Sequence, residues 1–229
     1  MKRAARLVLT HPFLVRAALS LVPDVAPIFM LHRFRDPEIG NSGHDPEALR
    51  VNLAWLRSRK FTILPLAELL QRLEEGVPVK RAIAFTVDDG YADFGRVAAP
   101  VFAEFDCPVT VYLTTGFLDG QLWLWWDKVA LALVAMQRES EVRPMVEALK
   151  LVPEAEKLDR ISALVQESGV QLPLAPPPRF APLAWDDVRR LSRSGVTFGP
   201  HSVTHPTLSR TGAEQLQFEI SESWRRVRA

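Results

Sequence analysis

The stretch from Ala82 to Val87, Ala-Ile-Ala-Phe-Thr-Val, constrains the fold of this chain more than any other. Six residues of strand-forming character follow one another with no polar alternation, so both faces of the strand must be covered. A strand covered on both faces belongs inside a parallel sheet, and parallel neighbours have to be joined by crossovers, usually helices. Further strand-like runs recur at 26–31, which also reads as a buried strand, and at 61–64, 109–114 and 196–199, and segments of helical period separate them. Asp45-Pro46 reads as an N-cap followed by proline at the first helical position, with Leu49, Leu53 and Leu56 on one face of a helix to Ser58. Further helices are expected over 66–75, closed by Gly76, over 94–105, over 185–193, closed by Gly195, and over 213–227. The expectation is an α/β fold with about five parallel strands.

Two segments stand outside this alternation. Residues 116–182 hold the Trp-rich run Leu122 to Asp127, one or two helices and five prolines between Pro173 and Pro182, and read as an insertion. Leu122-Trp123-Leu124-Trp125-Trp126-Asp127 suits either the core of that insertion or a surface for stacking sugar rings. Residues 1–25 carry Lys2, Arg3, Arg6 and Arg16 among short apolar runs and read as an amphipathic segment packed on the domain, with a membrane surface as the alternative. The remainder, 26–229, is one domain.

Composition removes several function classes. Lys plus Arg is 28 and Asp plus Glu is 27, a formal net charge of +1, which supplies no general pull on nucleic acid. One cysteine, Cys107, excludes an intrachain disulfide framework and a cysteine-based zinc site. No apolar run approaches the ~20 residues of a transmembrane helix, and no unbroken apolar core marks an export signal. A cytoplasmic location is expected, with peripheral membrane contact as the alternative.

In folds of this class the chemistry lies at the carboxyl ends of the strands. After the third strand come Asp88-Asp89-Gly90-Tyr91, and after the fifth come His201-Ser202-Val203-Thr204-His205-Pro206. Alone, Asp-Asp-Gly is a common turn and two loop histidines are unremarkable. The second stretch is not the zincin helix motif, because Ser202 stands where that motif needs glutamate. Together, one aspartate and two histidines make a three-ligand set with a fourth position open to water, and the other carboxylate beside it suits a general base.

These stretches resemble the polysaccharide deacetylases, the NodB-like domain of carbohydrate esterase family 4. Thr86-Val87-Asp88-Asp89-Gly90-Tyr91 is similar to the family's first motif, with Val87 where phenylalanine is usual, and His201 to Pro206 is similar to its second. Met30-Leu31-His32-Arg33 and Thr114-Thr115-Gly116-Phe117 add weaker similarity. The resemblance implies a distorted, incomplete (β/α) barrel. It implies Asp88 as general base and Asp89, His201 and His205 as ligands of a zinc ion, or of another divalent metal such as cobalt or nickel. Tyr91, His32 and Thr115 are expected at the substrate. The implied reaction is hydrolysis of an acetyl group, on nitrogen or oxygen, from an amino sugar or polysaccharide. The family's later motifs supply an arginine and a tyrosine to the site and a histidine as general acid. No histidine follows His205 and no tyrosine follows Tyr112. The chain therefore reads as a C-terminally truncated member whose general acid is unassigned. Two alternatives stay open: a metal-binding homologue impaired in turnover, and half of an assembly that self-associates through open sheet edges.

Overall fold

The computed structural model describes residues 25–120 and 122–229. The expected amphipathic segment over 1–25 falls outside the described residues, apart from its last. Five strands form one parallel sheet: β1 (Ile28–Leu31), β2 (Thr62–Ile63), β3 (Ala82–Val87), β4 (Val109–Leu113) and β5 (Val196–Pro200). The order is β1-β3-β4-β5, with β2 paired to the first two residues of β3. Every residue of β3 is buried, as its unbroken apolar run requires. It pairs with β1 from Ala84 to Val87 and with β4 at Thr86 and Val87. β4 pairs with β5 along its whole length, from Val109↔Val196 to Leu113↔Pro200. This register brings the carboxyl ends of β3, β4 and β5 to one rim.

Local sequence explains the helices. In α1 (Pro46–Ser58) the Asp45 side chain accepts from the Glu47 N–H, Pro46 occupies the first turn, and Leu49, Leu53 and Leu56 are buried. α2 spans Leu66–Glu74. The helix expected over 94–105 begins as a π-helical turn (Phe94–Ala98) and continues as α3 (Ala99–Glu104). Pro100 stands at the point of change, where its missing N–H and fixed φ favour a new helical start. α8 (Trp185–Ser192) and α9 (Ala213–Arg228) follow the expected bounds closely.

Two expectations change. β1 was expected to be buried, yet Ile28, Phe29 and Met30 are exposed; among the described residues this strand pairs with β3 alone. The region expected as an insertion is more regular than its prolines suggest. It contains α4 (Thr115–Leu118), α5 (Trp125–Ala135), α6 (Val142–Leu149) and α7 (Glu154–Ser168). The last three share their own apolar cluster of Val129, Leu133, Leu149, Ile161 and Leu164, separate from the cluster around the sheet.

Candidate metal centre

Two strand ends supply the site. At the end of β3, the Asp88 N–H donates to the Leu31 carbonyl of β1 at 3.0 Å, which continues the ladder one residue past the strand. Asp89 then adopts φ 76° and Gly90 φ 85°. The left-handed turn breaks the alternation of side chains, so adjacent carboxylates serve one site. Gly90 is required for two reasons: its positive φ, and the 3.0 Å at which an added Cβ would meet Leu113 and Leu118.

At the end of β5, the His201 N–H donates to Leu113 of β4 at 2.8 Å. Ser202 (φ 64°) and His205 (φ 57°) are also left-handed, which curls the loop so that the two imidazoles face each other, ring centroids 4.8 Å apart. The buried carboxylate of Glu219, on α9, holds this loop. It accepts from the N–H of Val203 at 2.6 Å, the N–H of Thr204 at 2.8 Å and the Thr204 hydroxyl at 2.6 Å. The Ser202 hydroxyl accepts from the His205 N–H at 3.1 Å.

The two loops meet. Asp89 Oδ1 lies 3.3 Å from His205 Nε2 and 3.8 Å from His201 Nε2, and one ligand atom from each residue falls within 4.8 Å of the others. Tetrahedral coordination at ~2.0–2.2 Å places ligand atoms about 3.3–3.6 Å apart; the Asp89 distances lie close to this, and the three residues could hold a single divalent cation if the imidazoles drew slightly closer. Burial, followed by the neighbouring His205, pushes the His201 imidazole below its ordinary pKa and favours the neutral ring that ligates metal.

Asp88 is buried at the rim of this set. Burial raises its carboxyl pKa, with the His201 and His32 imidazoles pulling the other way. His32, just beyond β1, is half exposed and brings Nε2 to 4.0 Å from Asp88 Oδ2. Its strand end thus leads into the same site.

Tyr91 and Thr115 have a different placement from the one expected. Thr115 is 0% and Tyr91 1% exposed, which leaves neither surface for a substrate. The Thr115 N–H donates to Ser202 and braces the β5 loop. The Tyr91 hydroxyl donates to Asp127 Oδ2 at 2.6 Å and accepts from the Trp126 indole at 2.9 Å. Trp123 and Trp125 are buried, while Trp126 stands edge-to-face with His205, centroids 4.6 Å apart. Trp126, Asp127 and Glu219 are the residues that sequence reasoning did not assign to the site. Glu219 had one legible signal, an acidic residue on the inward face of α9 near Ser223. Cys107 is buried away from this rim, and burial raises its thiol pKa, as suits a structural cysteine.

No helix among the described residues is long and apolar enough to cross a membrane. A comparison with curated proteins gives no match. Among solved structures, the chain is similar to the Streptococcus pyogenes deacetylase PplD, determined in complex with acetate, with a TM-score of 0.55 and 19% identity. That alignment covers 88% of this chain and 66% of the other. A de-N-acetylase from Aggregatibacter actinomycetemcomitans aligns at TM-score 0.45 and 15% identity, covering 77% of this chain and 54% of the other. IcaB from Ammonifex degensii aligns at 0.44 and 14%, covering 78% and 54%. This chain therefore spans less than two thirds of the length of these structures, and the likeness to PplD, at 19% identity, speaks for the fold alone. The model of the polysaccharide deacetylase family matches residues 75–229, which include both strand-end motifs; the chain belongs to that family.

Proposed function

We propose that this protein is a metal-dependent hydrolase that removes acetyl groups from N-acetylated sugars, free or within a polysaccharide. The observation that carries this reading is the convergence of Asp89, His201 and His205 from two strand ends to within 4.8 Å, with Asp88 beside them. Membership of the family supports the reaction class. Zinc is the first choice of metal, because two imidazoles and one carboxylate with an open fourth position suit it; cobalt or nickel would suit the same ligands.

A divalent cation held there would act as a Lewis acid toward water and the acetyl carbonyl. The protein's own groups handle the protons. Asp88, whose carboxyl pKa burial raises, takes the proton of the attacking water. His32, 4.0 Å from Asp88 and half exposed, hands a proton to the departing amine. The balance is that of amide hydrolysis: the C–N bond breaks, a C–O bond forms, and acetate and a free amine result.

The test is acetate release from oligomers of N-acetylglucosamine by zinc-loaded protein. Chelation should abolish release and zinc should restore it. Asp88→Asn and His32→Gln should each lower the rate by about 10²–10⁴-fold while the protein still binds zinc. Folded, zinc-loaded protein that releases no acetate from N- or O-acetylated sugars would refute the reading.

A further inference from the structure

The ligands lie on loops with left-handed backbone, so something must hold their rings at the right angle. His201 has the β4–β5 ladder immediately before it. His205 lies four residues further out, and the aromatic partners of its ring among the described residues are His201 and Trp126. Trp126 comes from the first turn of α5, in the helical region outside the sheet. Its ring is nearly perpendicular to that of His205, at 81°.

Trp126 is itself held. Its indole N–H donates to the Tyr91 hydroxyl, which donates onward to Asp127. Tyr91 is fixed on its other faces: Phe117 packs edge-on at 5.0 Å, and the Arg33 guanidinium lies 3.7 Å over the ring. Arg33 in turn donates to the buried Asp93 at 2.6 Å. A buried tyrosine of the β3 loop and an aspartate of α5 thus lock one indole, and that indole abuts a ligand of the β5 loop.

We propose that Trp126 is a positioning residue for His205, and that the Tyr91–Asp127 pair sets its orientation. The inference rests on the metal reading above. A ligand ring held at a fixed angle loses less freedom when it binds the cation, and groups behind ligands commonly change metal affinity 10–100-fold when removed. Rotation of the indole would free the His205 ring even with all three ligands present. The Trp-rich run acts here as a brace for the metal centre rather than as a platform for sugar.

The test is zinc affinity, measured by competition with a chromophoric chelator, together with the visible absorption of the cobalt-substituted protein. Trp126→Ala should weaken zinc binding by about 10-fold or more and alter the cobalt bands. Trp126→Phe, which keeps an aromatic ring but loses the N–H, should fall between Trp126→Ala and the parent. Trp123→Phe is the control for loosened packing. Trp123 is buried in the same region, but its indole donates to Pro173 and its ring packs on Phe180. It should lower the melting temperature without changing zinc affinity. Parent-like zinc affinity and cobalt bands in folded Trp126→Ala would overturn the proposal, as would an equal affinity loss in Trp123→Phe. Failure of the parent protein to bind zinc would instead overturn the metal reading beneath it.

Discussion

The β3 and β5 loops both carry ligands through left-handed turns, but they are secured by different means. The β3 loop is tied by backbone. Asp88 bonds to β1, the Asp89 carbonyl accepts from Thr114, the Gly90 carbonyl accepts from Leu183, and Ala92 donates to Ala181. The β5 loop also has backbone ties, from the N–H groups of Thr115 and Gly116 to the Ser202 and Val203 carbonyls, but the N–H groups of Val203 and Thr204 rest on a side chain, Glu219. Just beyond it, Thr207 donates to a second carboxylate, Glu154 of α7, which also pairs with the fully buried Lys157. Backbone ties survive most side-chain changes. Donors that share one carboxylate depend on one residue, because buried N–H groups left without an acceptor each cost about 1–3 kcal/mol.

The largest loss should come from Glu219→Ala. It strips the acceptor from two backbone N–H groups and the Thr204 hydroxyl, and should cost about 3–5 kcal/mol of stability. Urea unfolding would measure the loss, and zinc affinity should fall with it. Glu219→Gln, which keeps an acceptor oxygen, should recover part of both. If Glu219→Ala unfolded at the parent's urea concentration, the carboxylate would not be what holds the loop.

Gly116→Ala should come next. A Cβ there would lie 2.7 Å from the Val203 carbonyl oxygen, and backbone cannot swing aside as a side chain can. We expect about 2–3 kcal/mol of destabilisation, the range for overpacking a tight contact, and weaker zinc binding as the β5 loop is pushed outward. Gly90→Ala strains the β3 loop instead. Its added Cβ meets two leucine side chains at 3.0 Å and must adopt a φ of 85°, for a cost of about 1–3 kcal/mol. Because those neighbours can give and the backbone ties remain, its zinc affinity should suffer less than that of Gly116→Ala. The reverse ranking would break the comparison.

The smallest effect concerns pH. Burial pushes the Asp127 carboxyl up to about 7, although the Tyr91 hydroxyl bond pulls the other way. The folded protein therefore holds this proton more tightly than the unfolded chain, whose value is near the ordinary 3.8. That stabilisation is complete below about pH 4 and is lost as pH rises through about 7. Between pH 5.5 and pH 6.5 the loss should amount to about 1 kcal/mol. Asp127→Asn still accepts from Tyr91 and carries no charge, so its stability should decline less over that range in urea titrations. Equal slopes for parent and variant would show that Asp127 is not what titrates.

Much of this was legible in order along the chain. The unbroken run of β3 announced a parallel sheet, Asp45-Pro46 marked a helix start, and the strand-end rule pointed to Asp88, Asp89, His201 and His205. Less legible was anything set by a second partner. β1 resembles a buried strand in sequence, yet Ile28, Phe29 and Met30 are exposed. Tyr91 belongs to a motif of site residues, yet its ring turns inward to Asp127, 36 positions away. His32 and Asp88 are far apart in sequence and meet only because β1 and β3 are adjacent.

The order of residues along the chain was enough to set the kind of sheet, the end at which chemistry gathers and the types of group available there. Those follow from local chain stiffness, side-chain periodicity and the donor atoms each residue carries. Which groups touch came from the folded arrangement: Trp126 abuts His205, Glu219 accepts from the loop between the histidines, and His32 faces Asp88. Contacts of that kind depend on angles summed over many residues, and a few degrees in a turn decide whether two side chains meet.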